Sequence, residues 1–175
     1  MKRIVLTYGL ISGAIMSGLM LLTVAFVDRI GFDRGVIVGY TTMVLAFLMV
    51  FFGIRSYREN VGGGEISFGK AFTVGILIML ITCVIYVLTW QFEYRAFFPD
   101  FMDRYAAHVI EKARASGASP EELTRQREEL KGFKQMYANP IYNVAFTILE
   151  PLPVGIVMTL ISAAILRKRR KPQPA

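Results

Sequence analysis

Apolar positions fall into four long runs, Ile4–Val27, Val36–Ile54, Ala71–Trp90 and Ile141–Leu166, of 24, 19, 20 and 26 residues. Each run is apolar all round, whereas a helix of a soluble domain carries one apolar stripe. A bilayer core about 30 Å thick takes roughly 20 helical residues to cross, so the pattern predicts four transmembrane helices. The stretch Gln91–Asn139 follows a different pattern. Phe98, Met102, Tyr105 and Val109 recur at 4-3-4 spacing, the stripe of an amphipathic helix. A stop and restart follow, with Gly117 as the residue after a helix end, Ser119 as N-cap and Pro120 at the first helical position. Leu123, Leu130, Phe133 and Tyr137 then share one face of a second helix. The fold class expected is an all-α integral membrane protein. It has four transmembrane helices and an extracytoplasmic amphipathic helical hairpin, about 98–137, between helices three and four, all in one membrane domain. Pro99 and Pro140 stand at the two junctions of the hairpin with the membrane. Its stripes most simply pack on each other, and Leu123, Leu130 and Phe133 form the candidate partner-binding face.

Composition sharpens this picture. Hydrophobic residues make up 54% of the 175, and this excludes an ordinary soluble domain or a disordered chain. Cys83 is the only cysteine, so no internal disulfide forms, and its place midway along the third run makes it a small apolar filler. The net charge is +7, and its distribution matters more than its size. Arg167, Lys168, Arg169, Arg170 and Lys171 follow the last apolar run directly, and Lys2 and Arg3 precede the first. Basic residues against helix ends are cytoplasmic anchors, so both termini are expected inside. Without aromatic platforms or a folded basic face, nucleic acid is not the expected partner. The first run is too long for a signal peptide's apolar core and lacks a small-residue cleavage pattern, so it reads as an anchor that stays.

Small residues mark where helices approach. Gly9 and Gly13, Ala14 and Gly18, and Gly35 and Gly39 each make a small-xxx-small pair, which lets helix backbones come close. Packing within the chain is the plainer use, and homodimerisation the sharper one. Asp28–Arg34 reads as a short charged turn. In the glycine-rich loop Arg55–Lys70, the stretch Gly64–Lys70 fits the G-x-x-x-x-G-K spacing of a phosphate loop. Ala71 then stands where a Ser or Thr is needed, and no strand precedes it. Ser67 reads instead as a helix N-cap and Lys70 as an interfacial anchor.

Chemistry is sparse. His108 stands on the hairpin without a second His or Cys nearby, so no metal site is expected. There is no nucleophile–base pair, and neither cofactor nor enzymatic activity is expected. The exception is Glu150, the one ionisable residue within the four apolar runs. Pro151 and Pro153 follow it. They cannot donate to the carbonyls of Thr147 and Leu149, which leaves two acceptors open beside a carboxyl group roughly 9–14 Å deep. A charge at the bilayer centre costs about 2.5–3.5 kcal/mol on insertion scales. Ser17, Thr42, Thr82 and Tyr86 are candidate donors at comparable depth. Glu150, Pro151 and Pro153 are therefore the candidate intramembrane site.

Two functions compete: a non-enzymatic accessory or scaffold subunit acting through interaction, and a small transporter or proton-coupled subunit using Glu150. The expected partners are the lipid bilayer and either a second copy or another membrane protein.

Three stretches carry a family likeness. They are Ser67–Gly75 opening the third helix, Tyr137-Ala138-Asn139-Pro140 before the fourth, and Pro153–Leu166 with its basic tail. Together they resemble a family of bacterial inner-membrane proteins known as domain of unknown function 4199. The resemblance implies a four-helix integral membrane protein, and it implies no activity and no catalytic residues.

Overall fold

The computed structural model describes residues 1–168, with the side chain of Asp28 also outside the description. Arg169, Arg170 and Lys171 of the expected basic tail therefore lie outside the described residues. Among the described residues seven helices follow one another: α1 (Lys2–Ala25), α2 (Val27–Asn60), α3 (Phe68–Ala96), α4 (Phe101–Ala115), α5 (Pro120–Ala138), α6 (Pro140–Leu149) and α7 (Pro151–Leu166). Four of the described segments are long and apolar enough to cross a membrane: Lys2–Ala25, Arg29–Asn60, Phe68–Ala96 and Pro140–Leu166. The chain is a multi-pass membrane protein of all-helical build. It forms two compact units, one of Met1–Thr89 with Ile148 onward, the other of Trp90–Thr147.

The helices depart from the apolar runs at their ends. α1 stops at Ala25, and α2 bends at Gly31, where φ 70° and ψ 167° leave the helical region. A left-handed φ of this kind favours glycine, so the bend falls on the one residue there without a Cβ. α2 then continues through Arg55 and Arg58 to Asn60. α3 runs six residues beyond Trp90, because Gln91, Glu93 and Arg95 interrupt hydropathy without breaking a helix. The fourth run is two helices, divided at Glu150.

In the first unit α1 and α7 turn mostly small residues inward and large ones outward, while α2 and α3 bury large side chains between them. α1 buries Val5, Gly9, Ser12, Gly13 and Met16, while Leu6, Leu10 and Leu22 stay exposed. α7 buries Pro151, Gly155, Thr159, Ser162 and Ala163 and exposes Ile156, Val157, Leu160 and Ile161. Lipid is as apolar as leucine, so helices associate here through close packing rather than hydrophobic exclusion. The spacing shows how close. A Cβ on Gly9 would come within 2.8 Å of the Ile81 Cβ, and one on Gly13 within 2.9 Å of the Ile85 Cβ. A Cβ on Gly155 would meet the Met79 sulfur at 2.7 Å, and one on Gly75 the Thr159 Cγ2 at the same distance. The Gly9/Gly13 pair is thus used within the chain, against α3. Gly18, Gly35 and Gly39 have nothing within 4 Å. Phe47, Ile54, Ile78 and Met79 fill the space between.

Polar groups in this unit turn mostly to backbone. Ser12 donates to the Ala46 carbonyl at 2.8 Å, and Thr82 to the Ile78 carbonyl of its own helix at 3.0 Å. Ser17 and Thr89 share a hydrogen bond of 2.6 Å. At the loop end, Ser67 caps α3 by accepting from the Lys70 amide at 3.3 Å, as the sequence suggests. Lys70 sits 5.9 Å from the Tyr57 ring centre, a cation–π distance. Ile66 and Lys168 exchange two backbone hydrogen bonds of 3.0 and 2.9 Å, and Arg58 donates to the Leu166 carbonyl at the end of α7. That stretch is a loop before a helix, without the strand a phosphate loop requires.

The second unit is built on aromatic rings. Trp90 meets Phe101 edge-on at 5.1 Å, Tyr94 meets Tyr137 edge-on at 5.6 Å, and Phe133 lies 5.9 Å from Tyr137 and 5.3 Å from Phe146. The Trp90 indole N–H donates to the Tyr137 hydroxyl at 2.8 Å. α4 and α5 touch through Phe101 and Tyr137 and through the Lys134–Asp103 ion pair. The link between them has the local chemistry read from the sequence. Gly117 takes φ 84°, its amide bonds the Arg114 carbonyl, and the Ala118 amide bonds that of Ala113, which closes the end of α4. Ser119 accepts from the Glu122 amide, and Pro120 opens α5.

Two outcomes test this packing. Gly9→Val is expected to destabilise the protein in detergent by about 1–3 kcal/mol through overpacking, while Gly18→Val, with open space around it, shifts the melting temperature little. Equal effects at the two sites contradict the packing. Tyr137→Phe removes the acceptor of the half-buried Trp90 N–H and is expected to cost about 0.5–1.5 kcal/mol, read from denaturant unfolding by Trp90 fluorescence.

Candidate functional site

Glu150 sits at the only break inside the segment Pro140–Leu166. Its backbone keeps helical dihedrals, φ −68° and ψ −53°. The break is therefore a loss of hydrogen bonds rather than a turn, as two prolines without donors require. Glu150 is the eleventh of the segment's 27 residues. At 1.5 Å per residue it lies roughly 15 Å from Pro140 and about 4–5 Å from the segment's middle.

Of the four candidate donors, the structure brings one to it. The Tyr86 hydroxyl of α3, 8% exposed, donates to Glu150 Oε2 at 2.7 Å. Ser17 is taken by Thr89 and Thr82 by its own helix, and Thr42 is half-buried on α2. Among the described residues no second partner meets Glu150. The side chain itself is exposed on the protein surface. Pro151 is buried in the packed face of α7, and Pro153 is exposed. The site therefore combines a carboxyl group anchored on one oxygen by a phenol with a free outward side, at a depth where lipid offers no hydrogen bonds. Such a group can hold a proton, accept a second donor or pair with a neighbouring protein.

Leu123, Leu130 and Phe133 are all half-buried. Phe133 is engaged by the Tyr137 and Phe146 rings, so a substitution there disturbs the unit as well as any surface it offers.

The structure adds a carboxyl group the sequence reading places outside the membrane. Glu93 lies within the membrane-spanning segment Phe68–Ala96, so Glu150 is not the only ionisable residue in the spans. In the second unit Glu93 is fully buried, and neither carboxyl oxygen has a hydrogen-bond partner among the described residues. Its backbone carbonyl accepts from the Phe97 and Phe98 amides at 2.8 and 3.1 Å. It lies eleven residues from the middle of α3, roughly 16 Å along the axis, the depth of lipid headgroups. The signal was present: no glycine or proline interrupts the chain between Trp90 and Pro99, so nothing ends the helix before Glu93. Neighbouring polar groups are paired elsewhere, Gln91 with Asn143 at 2.5 Å and Asn143 with the Tyr137 carbonyl at 3.3 Å. Among the described residues no group of three or more His, Cys, Asp or Glu is placed to hold a metal ion.

A family model described as "Protein of unknown function (DUF4199)" matches residues 7–168. No curated protein and no solved structure matches the chain.

A buried carboxyl group without partners is a cost to the fold. Removing it together with its need for hydrogen bonds is expected to stabilise. Glu93→Met should hold or raise stability by about 1–3 kcal/mol, measured by thermal unfolding in detergent. A loss of that size instead would mean that Glu93 has an essential partner.

Proposed function

We propose that this chain, which belongs to the DUF4199 family of proteins of unknown function, acts as a non-enzymatic accessory or scaffold subunit of the bacterial inner membrane. The observation that carries this reading is the exposure of Glu150. A carboxyl group near the middle of a membrane-spanning segment, half satisfied by Tyr86 and otherwise open at the surface, is unstable against lipid. It is stable against another protein, because intramembrane polar side chains serve as glue between helices. The second unit fits the same role. Its helices α4 and α5, paired as a hairpin, offer Leu123, Leu130 and Phe133 as a half-exposed recognition face outside the membrane.

Orientation follows from charge. In the first unit Arg58, Lys70, Arg167 and Lys168 gather at the end where Ile66 pairs with Lys168. Basic residues against helix ends favour the cytoplasm, so both termini are cytoplasmic and the hairpin extracytoplasmic.

A second reading rests on the Tyr86–Glu150 hydrogen bond. A tyrosine and a carboxyl group in contact beside a broken helix can pass a proton, and broken helices near the midplane are common in transporters. In reconstituted vesicles that reading expects proton or solute flux that Glu150→Gln abolishes with folding intact. Unchanged flux in the variant sinks it.

The favoured reading is checked by cross-linking in native membranes, followed by purification of the chain. A defined cross-linked species is expected, and a double substitution of Leu130 and Phe133 to aspartate should lose any component held by the hairpin. A chain recovered only as a free monomer, at every cross-linker length, contradicts the reading.

A further inference from the structure

We infer that the end of the first unit where α2, α3 and α7 meet binds the phosphate headgroup of an acidic phospholipid, with Lys70, Arg167 and Lys168 as the contacting cations. The site goes beyond the interaction reading above and does not depend on Glu150. Packing brings cations from all four spans to one level. Gly53 faces Tyr8 and Ser12 bonds Ala46, so α1 and α2 run antiparallel. Lys2 and Arg3 therefore stand level with Arg55 and Arg58. Gly75 faces Thr159 and Ile66 pairs with Lys168, so the start of α3 and the end of α7 share that level. At 1.5 Å per residue, the basic residues of the helices and Arg167 lie roughly 16–21 Å from the middles of their spans. Headgroups occupy about 15–22 Å from the bilayer centre. Among the described residues this end carries seven basic side chains against Glu59 and Glu65, a net charge of +5. At the opposite end of the unit Arg29 and Arg34 are matched by Asp28 and Asp33.

Part of this charge is already used. Arg55 and Arg58 both donate to Glu59, at 3.0 and 3.3 Å, and Arg58 also donates to the Leu166 carbonyl. Those two arginines serve the ends of α2 and α7. Lys70, Arg167 and Lys168 are exposed, and among the described residues no carboxylate pairs with any of them. Lys70 stands by the Tyr57 ring in the first turn of α3, where the positive end of the helix dipole adds to its charge. A basic tail that only oriented the last helix would need no fixed place. Here two backbone hydrogen bonds tie Lys168 to Ile66, which sets it beside the loop leading into Lys70. Glu65, the carboxylate of that loop, is half-buried and makes no ion pair among the described residues, so the cations outnumber it. Like charges held together repel, and a phosphate offsets them with charge-assisted hydrogen bonds. The site also suits the rest of a lipid. Phe68 and Ile165 are exposed next to it on the lipid-facing surface, 39% and 65%, where acyl chains can lie. A free phosphate has no use for them.

The test uses the purified full chain in phosphatidylcholine nanodiscs. Spin-labelled phosphatidylglycerol or spin-labelled phosphatidylcholine is added, and the fraction immobilised on the protein is read by electron paramagnetic resonance. The acidic lipid is expected to associate about fivefold more strongly or better, the factor that about 1 kcal/mol from one basic residue near an anionic surface already supports. Replacing Lys70, Arg167 and Lys168 together by glutamine should abolish that preference. These side chains are exposed, and the backbone bonds between Ile66 and Lys168 remain. Replacing Lys2 and Arg3 by glutamine, at the same depth but away from the tie, should leave most of it. Equal association of the two lipids overturns the inference, and so does a preference that the Lys2 and Arg3 variant loses as fully as the triple variant. Inorganic phosphate, added at constant ionic strength, should not displace the acidic lipid. Displacement assigns the site to a soluble anion and removes the lipid as its occupant. Should the triple variant fail to fold, the wild type is read at about 1 M salt, where the screening length falls to about 3 Å. The preference is expected to vanish there, and an undiminished preference contradicts contact through these cations.

Discussion

Apolar helices gain nothing by leaving lipid, so the first unit depends on how closely its backbones approach. That constraint explains why the inward faces of α1 and α7 carry mostly glycine, serine, threonine and alanine and their outward faces leucine, isoleucine and valine. Gly9 and Gly13 set the approach of α1 to α3, and Gly75 and Gly155 that of α3 and α7. At such distances no added side chain fits, and contact is made by the sides of Ile81, Ile85 and Met79. The buried polar groups obey the same logic, since Ser12 and Thr82 find carbonyls within reach. Only Thr159 keeps a buried hydroxyl without a partner among the described residues of this unit. An outward polar group is out of place in such a surface, and that is why Glu150 matters.

The second unit answers a different constraint. Its helices are short and their outer faces charged, so their order comes from local caps and from one cluster of rings. Ser119 and Gly117 set where the chain stops and restarts, and Tyr137 gathers Trp90, Tyr94, Phe101 and Phe133 around it. The Glu93 carboxyl group is buried in this unit without a hydrogen-bond partner among the described residues, a cost the rings' packing must offset.

How much of this was legible in the sequence depended on the range of the physics. The four spans follow from composition, and the caps at Ser67, Gly117 and Ser119 from chemistry within a few residues. The end of α3 did not, because a run of apolar residues measures what suits lipid, whereas a helix ends where hydrogen bonding fails. Gln91, Glu93 and Arg95 satisfy the second condition and not the first. The prolines gave the depth and break at Glu150, but not its direction. Whether it faces inward or outward depends on which side of α7 packs, and that was decided by Gly155 and Thr159 against α3. Likewise three small-residue pairs were visible, and only tertiary contact shows that Gly9 and Gly13 are the pair used on α3.

The central claim is that the outward side of Glu150 faces protein rather than lipid. Nitroxide labels placed singly along α7 in bilayers, read for collision with dissolved oxygen, test this directly. The account predicts low oxygen access at positions 153, 157, 160 and 164, on the Glu150 side of the helix, and high access at 156 and 165. Uniformly high access around the whole exposed surface of α7 would place Glu150 against lipid and contradict it.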